Sequence, residues 1–133
     1  MKYLLDTSTC VFFFRDKFNI AAILKDKGID NCCISEITLA ELRYGAENSQ
    51  NPLKHHGLID EFIKRIAVIP ITDSIRVFAE EKVRLRRNGN LVDDFDLLIA
   101  SSALLHRMVL VTDNVKHFAR INSIQIENWI ERE

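Results

Sequence analysis

Tyr3-Leu4-Leu5-Asp6-Thr7-Ser8-Thr9, near the start of the chain, is three apolar residues stopped by an acid and followed by three hydroxyl residues. An apolar run this short, without alternation, suits a strand buried on both faces. One of Thr7, Ser8 and Thr9 is placed to cap a helix carrying Val11 to Phe14. Asp6, at the carboxyl end of the strand, either caps that helix, lines a site, or does both. The same pattern repeats outward. A helix over about 18–27 ends at Gly28, and Cys32-Cys33-Ile34 forms a second strand. Ser35 caps a helix with Ile37, Leu39, Ala40, Leu42 and Tyr44 that stops near Gly45, and Asn51-Pro52 starts another that runs to about Lys64. Ala67 to Ile71 is a third strand, which Pro70 assigns to an edge or a strand end. Helices follow at about 74–87 and 94–106, then a strand at Met108 to Val111, a short helix at 114–119 and a weak strand at Ile124 to Ile126. Strands separated by helices need crossover connections, so the fold class is α/β, a mostly parallel sheet covered on both faces. Ligands in such sheets bind beyond the carboxyl ends of the strands, where strand order reverses.

The 133 residues form one expected domain, 1–133, and 47% hydrophobic content fills a core without a disulfide or metal staple. With 18 Lys+Arg against 19 Asp+Glu, a net charge of −1 excludes a uniformly basic coat for nucleic acid. No apolar run reaches the roughly 20 residues of a membrane span, and the N-terminal apolar stretch is broken by Asp6 with no small-residue cleavage site after it. Three cysteines, Cys10, Cys32 and Cys33, fit reduced thiols in a cytoplasm better than a disulfide framework or a zinc site.

The nucleotide cradles G-x-x-x-x-G-K-[ST] and G-x-G-x-x-G are absent, as is the G-x-S-x-G elbow. No histidine stands in an H-E-x-x-H context, and His55-His56 reads as a solvated helix face. The acids carry more information. Glu41 shares a helix face with Ile37 and Tyr44, which turns it toward apolar neighbours, where a lone carboxylate is costly unless paired or metal-bound. In Asp93-Asp94-Phe95-Asp96, one of the first two acids suffices as a cap, whereas Asp96 shares its face with Ile99, Ala100 and Ala103. Asp113 repeats the placement of Asp6 after a strand, and with Asn114 it equally suits a helix cap. Oxygen ligands without Cys or His select Mg²⁺ or Mn²⁺, ions that serve phosphodiester hydrolysis. Arg76, Lys82, Arg84, Arg86 and Arg87 on one helix offer a counter-patch for phosphates, diluted by Glu80 and Glu81.

Four stretches together carry a family likeness: Tyr3-Leu4-Leu5-Asp6-Thr7, Thr38-Leu39-Ala40-Glu41-Leu42-Arg43-Tyr44-Gly45, Asp94-Phe95-Asp96-Leu97-Leu98-Ile99-Ala100, and Leu110-Val111-Thr112-Asp113-Asn114 through Phe118. A closing Glu127-Asn128-Trp129 adds to it. With these, the chain resembles the PIN-domain ribonucleases, specifically the VapC-type toxins of type II toxin–antitoxin pairs. The resemblance implies a PIN-like α/β/α sandwich with a sheet of about five strands. It also implies Mg²⁺- or Mn²⁺-dependent endonuclease action on RNA, a cognate VapB-like antitoxin as inhibitor, a homodimer, and a larger assembly with the antitoxin. By position it makes Asp6 and Asp96 metal ligands and Glu41 the third acid. The fourth family position falls on Asn114, with Asp113 beside it. Ser8 stands where the family often has Asn and is still able to hydrogen-bond a neighbouring carboxylate. Val92-Asp93 replaces the usual Ile-Gly.

Two other classes share parts of this pattern. A phospho-acceptor signalling domain needs paired acids after its first strand and a lysine after its last main strand, where this chain has Asp6 alone and Asp113. A non-catalytic PIN module acting through protein binding would lack the acids, and three of four are present.

Overall fold

The computed structural model describes residues 2–132. The chain runs β1 (Tyr3–Leu5), α1 (Thr7–Phe14), α2 (Ile20–Lys27), β2 (Cys32–Ser35), α3 (Glu36–Glu47), α4 (Pro52–Ile63) and β3 (Ala67–Ile69). It continues through α5 (Ile75–Arg87), α6 (Asp94–Leu105), β4 (Val109–Val111), the one-turn α7 (Val115–Phe118) and β5 (Ile126–Glu127). The five strands form one sheet in the order β3-β2-β1-β4-β5, and every neighbouring pair is parallel. β3 is an edge strand, and Pro70 directly follows it, so the missing N–H costs no ladder bond.

Successive strand residues point to opposite faces, and the core divides accordingly. Tyr3, Leu5, Cys32, Ile34 and Val111 pack under α1–α4, with Leu24, Leu42, Ile59, Phe62 and Trp129. Leu4, Cys33 and Leu110 pack on the other face, with Leu85 of α5, Leu97, Ile99, Ala100 and Ala103 of α6, and Phe118. The result is the α/β/α sandwich expected from the sequence. α6 is covered nearly all round, and its buried Ser101 hydroxyl donates to the Leu97 carbonyl at 2.6 Å, which satisfies the group without breaking the helix.

Chain order places the site. The strands step outward from β1 to β3, and the chain then returns to lay β4 against the other side of β1. The reversal falls between β1 and β4, so the crevice opens past Leu5 and Val111, at Asp6 and Thr112.

Local expectations are corrected in several places. Of the capping candidates, Asp6 and not Thr7, Ser8 or Thr9 caps α1, accepting from Thr9 N at 2.9 Å, one of the two roles its position allowed. α3 continues through Gly45 to Glu47, because buried Leu42 and Ala46 extend its apolar stripe across the glycine and outweigh a helix penalty of about 1 kcal/mol. The last strand is Ile126–Glu127, set by the pairing of Leu110 with Ile126 and of Val111 with Glu127. His56 is half-buried, not solvated: Arg43 Nη1 lies 3.0 Å from its Nδ1, and its Nε2 lies 3.0 Å from Glu47 Oε1. The basic residues of α5 are largely consumed by ion pairs: Arg84 with Glu81 at 2.8 Å, Lys82 with Asp94 at 2.9 Å and Arg76 with Glu80 at 3.7 Å. Among the described residues, Arg86 and Arg87 alone of that set lack an ion-pair partner, so α5 presents no continuous phosphate track. No described helix is long and apolar enough to cross a membrane.

Candidate active site

Asp6 sits at the crevice floor with 5% of its surface exposed. Besides the cap to Thr9, it accepts from the Ser8 hydroxyl at 3.0 and 3.1 Å, the bond foreseen for that residue. Burial pushes its carboxyl above the ordinary range, opposed by hydrogen bonds from Thr112, Thr9 and Ser8. β1 and β4 thus hold the acid from both sides: Asp6 N donates to the Val111 carbonyl at 3.0 Å, and Thr9 Oγ1 donates to the same oxygen at 3.3 Å.

Glu41 projects from α3. Of the neighbours expected for it, Tyr44, one turn on, is 71% exposed, and the apolar groups beside Glu41 are instead Val11 and Phe14 of α1. Its partner is Thr7, whose hydroxyl donates to Oε1 at 2.6 Å and stands 3.1 Å from the Thr38 hydroxyl. α3 and the start of α1 are thereby joined at the rim.

Asp96 occupies the first turn of α6, where the helix dipole favours an anion. Asp93 is the cap, accepting from Phe95 N at 3.2 Å, and Asp94 pairs with Lys82, so Asp96 alone is left for the crevice. Its Oδ2 lies 3.2 Å from His117 Nε2. Burial raises its carboxyl above the ordinary range. His117 opposes the shift, and Asp93, Glu41 and Asp6 reinforce it. Asp6 past β1 and Glu41 on α3 are thus both within electrostatic reach of Asp96 on α6.

Among the described residues no side-chain hydrogen bond links Asp113 or Asn114 to Asp6, Glu41 or Asp96. Asp113 is tied to Arg132, and Asn128 Nδ2 approaches it at 3.4 Å. Asn114 is exposed and opens α7 without a side-chain cap bond, while its backbone N–H donates to Thr112 Oγ1 at 3.0 Å. Thr7, Thr38, Thr112 and His117 are the residues that reading by sequence missed. The threonines are ordinary strand-end and helix residues in sequence, and nothing near His117 marks it as a neighbour of Asp96.

The donor set is carboxylate and hydroxyl oxygen, with one imidazole beside it. Crowded carboxylates with raised pKa values suit a hard divalent cation, which offsets their mutual repulsion. Among the described residues no three such groups stand close enough to form a ready-made cage. Mg²⁺ does not require one, because it binds through one or two carboxylates and keeps several waters. The residues therefore fit the ion.

Beside Glu41 a cleft of about 370 Å³ opens between α1, α3 and α4, lined by Val11, Phe14, Leu42, Ala46, Leu58 and Ile59 among others. Glu41 lines it, but Asp6 and Asp96 do not.

A family model described as PIN domain matches residues 3–124. The tRNA(fMet)-specific endonuclease VapC of Salmonella typhimurium is 35% identical over 130 residues, which cover 97% of this chain and 98% of that protein. Ribonuclease VapC2 of Rickettsia felis is 34% identical over 135 residues, with 97% and 98% covered. Among solved structures, DNA-bound VapBC from Salmonella typhimurium superposes with a TM-score of 0.91 at 36% identity, covering 97% of this chain and 98% of that chain. The family match runs from the first strand past α7 and so takes in every element that bears on the crevice. On that match and those relatives, the chain belongs to the PIN-domain family, in its VapC ribonuclease branch.

Proposed function

We propose that this protein is the toxin of a type II toxin–antitoxin pair, an endoribonuclease that depends on Mg²⁺, or on Mn²⁺ in its place. The observation that carries the reading is the placement of Asp6 past β1 and Asp96 in the first turn of α6 about the reversal of strand order, with Glu41 bonded to Thr7 next to Asp6. Asp6 and Asp96 would hold the ion, with Glu41 as the third acid. Once bound, the ion supplies activation of water and stabilisation of charge on the leaving oxygen in phosphodiester hydrolysis. The chain's own residues set the geometry. Ser8, Thr9 and Thr112 hold Asp6 in one orientation, and Thr7 holds Glu41. Glu41 would accept a proton from an attacking water. RNA is the substrate, and the α5 ion pairs leave phosphate recognition to the crevice itself.

A VapB-like antitoxin is the proposed inhibitor. One solved relative, from Salmonella typhimurium, is a DNA-bound VapBC complex. The apolar cleft beside Glu41 suits an apolar segment of such a partner, whose basic side chain would then compete with the cation for the carboxylates. A homodimer, a larger complex with the antitoxin and a cytoplasmic location complete the proposal. The test is single-turnover cleavage of fluorescent RNAs, tRNA(fMet) included, with and without EDTA. Cleavage should stop in EDTA and return with Mg²⁺ or Mn²⁺. Undiminished cleavage in EDTA would overturn the metal mechanism.

A further inference from the structure

We propose that His117 is a positioning residue for Asp96: its Nε2 holds the Oδ2 oxygen and so fixes the orientation in which that carboxylate meets the cation. The inference rests on the metal-nuclease reading of the site and adds a residue to it.

Three observations carry it. First, His117 Nε2 is buried and has no hydrogen-bond partner, although it lies 3.2 Å from Asp96 Oδ2. A buried ring nitrogen without a partner is costly and uncommon, and the carboxylate beside it is the group that it would serve. Such bonds in active sites are often poorly aligned until the functional complex forms. Second, the imidazole is held where it stands. It meets the Phe118 ring edge-on at 5.4 Å, and Phe118, only 1% exposed, anchors the single turn of α7 in the core. Third, Asp96 has no other source of order. Asp6 receives bonds from Ser8 and Thr9 and Glu41 receives one from Thr7, but among the described residues no side chain or backbone group donates to Asp96. Asp113 and Asn114, the alternatives on the same segment, are turned to Arg132 and Asn128 or to solvent. α7 therefore brings an imidazole, and not an acid, to Asp96.

The chemistry follows from how metal-bound carboxylates behave. A ligand whose free oxygen is hydrogen-bonded keeps its rotamer, and losing that partner typically weakens metal binding by about 10–100-fold. The role needs an N–H donor and does not need an acid.

The experiment measures Mn²⁺ affinity from the electron paramagnetic resonance signal of the free ion, alongside single-turnover RNA cleavage and melting temperature in EDTA. The proteins are native, His117→Leu, His117→Gln, Asp96→Asn and the double variant Asp96→Asn with His117→Leu. His117→Leu keeps apolar packing and removes the donor, so Mn²⁺ binding should weaken by about 10–100-fold. His117→Gln restores a donor and should recover much of the loss. In the Asp96→Asn background His117→Leu should cost nothing further, because its effect passes through that carboxylate. The inference is overturned if His117→Leu binds Mn²⁺ as native does, if its loss is undiminished in the double variant, or if Gln and Leu fall equally in affinity and melting temperature. Failure of native protein to bind Mn²⁺ would sink the metal reading and this inference together. Tight native binding with an indifferent His117 would sink this inference alone.

Discussion

Replacing Asp6 separates its two roles, capping α1 and supplying a buried negative charge. Asparagine keeps a side-chain oxygen for Thr9 N, now at 2.9 Å, and ranks with aspartate as a helix cap. Alanine removes the cap, at a cost of about 1 kcal/mol, or roughly 4 °C in melting temperature for a domain of this size. The charge acts in the opposite sense. Burial disfavours the carboxylate of Asp6, so removing the charge relieves the fold. In EDTA at neutral pH, Asp6→Asn should melt at or above the native temperature and Asp6→Ala should melt below Asp6→Asn. Both should lose cleavage by at least about 100-fold, since a direct ligand matters more than the groups that orient it. Scanning calorimetry and cleavage of a fluorescent RNA read the two effects separately. An Asp6→Asn variant that cleaves within about tenfold of native would refute the ligand assignment. One that melts as low as Asp6→Ala would refute the capping argument.

The pH dependence of that comparison has a definite sign. A carboxyl raised in the fold above its ordinary 3.8 contributes stability that is fully present below 3.8 and is lost as pH rises through the folded value. The melting advantage of Asp6→Asn over native should therefore be largest at neutral pH and vanish as pH falls toward 3.8; an advantage that grows on acidification would contradict the burial argument. Asp96→Asn should abolish cleavage, while Asp93→Asn, which retains the cap, and Asp94→Asn, which loses a surface pair with Lys82, should stay within about tenfold of native in the same assay. Asp113→Ala and Asn114→Ala should also stay within about tenfold, because among the described residues neither side chain bonds to Asp6, Glu41 or Asp96. A dead Asp113→Ala protein with normal melting would put that residue back in the site.

Much of the fold was legible because the parallel strands are buried on both faces. Tyr3-Leu4-Leu5 and Cys32-Cys33-Ile34 read as short unbroken apolar runs for that reason, and the helices between them require crossovers. Boundaries were less legible where a tertiary contact outweighs a local signal. Gly45 failed to stop α3 because Ala46 is buried beyond it, and β5 was displaced by its ladder with β4. The same holds for the acids. Asp6 and Asp96 were exposed as candidates by breaking apolar patterns, a local property. Glu41 has apolar neighbours as expected, but Val11 and Phe14 supply them in place of Tyr44, since the periodicity of one helix does not say which element packs beside it.

The sequence by itself determined the element types, the parallel α/β class and three acids out of place, because periodicity, capping and the cost of buried charge act over a few residues. Strand order, and with it the position of the crevice between β1 and β4, was decided only by how the helices close over both faces of the sheet. The fourth place went the same way. The family resemblance pointed to Asn114, with Asp113 beside it; Arg132 and Asn128 bind Asp113, and the anchoring of Phe118 in the core carries His117 to Asp96. That choice depends on packing between segments far apart in the chain, which no local pattern of residues records.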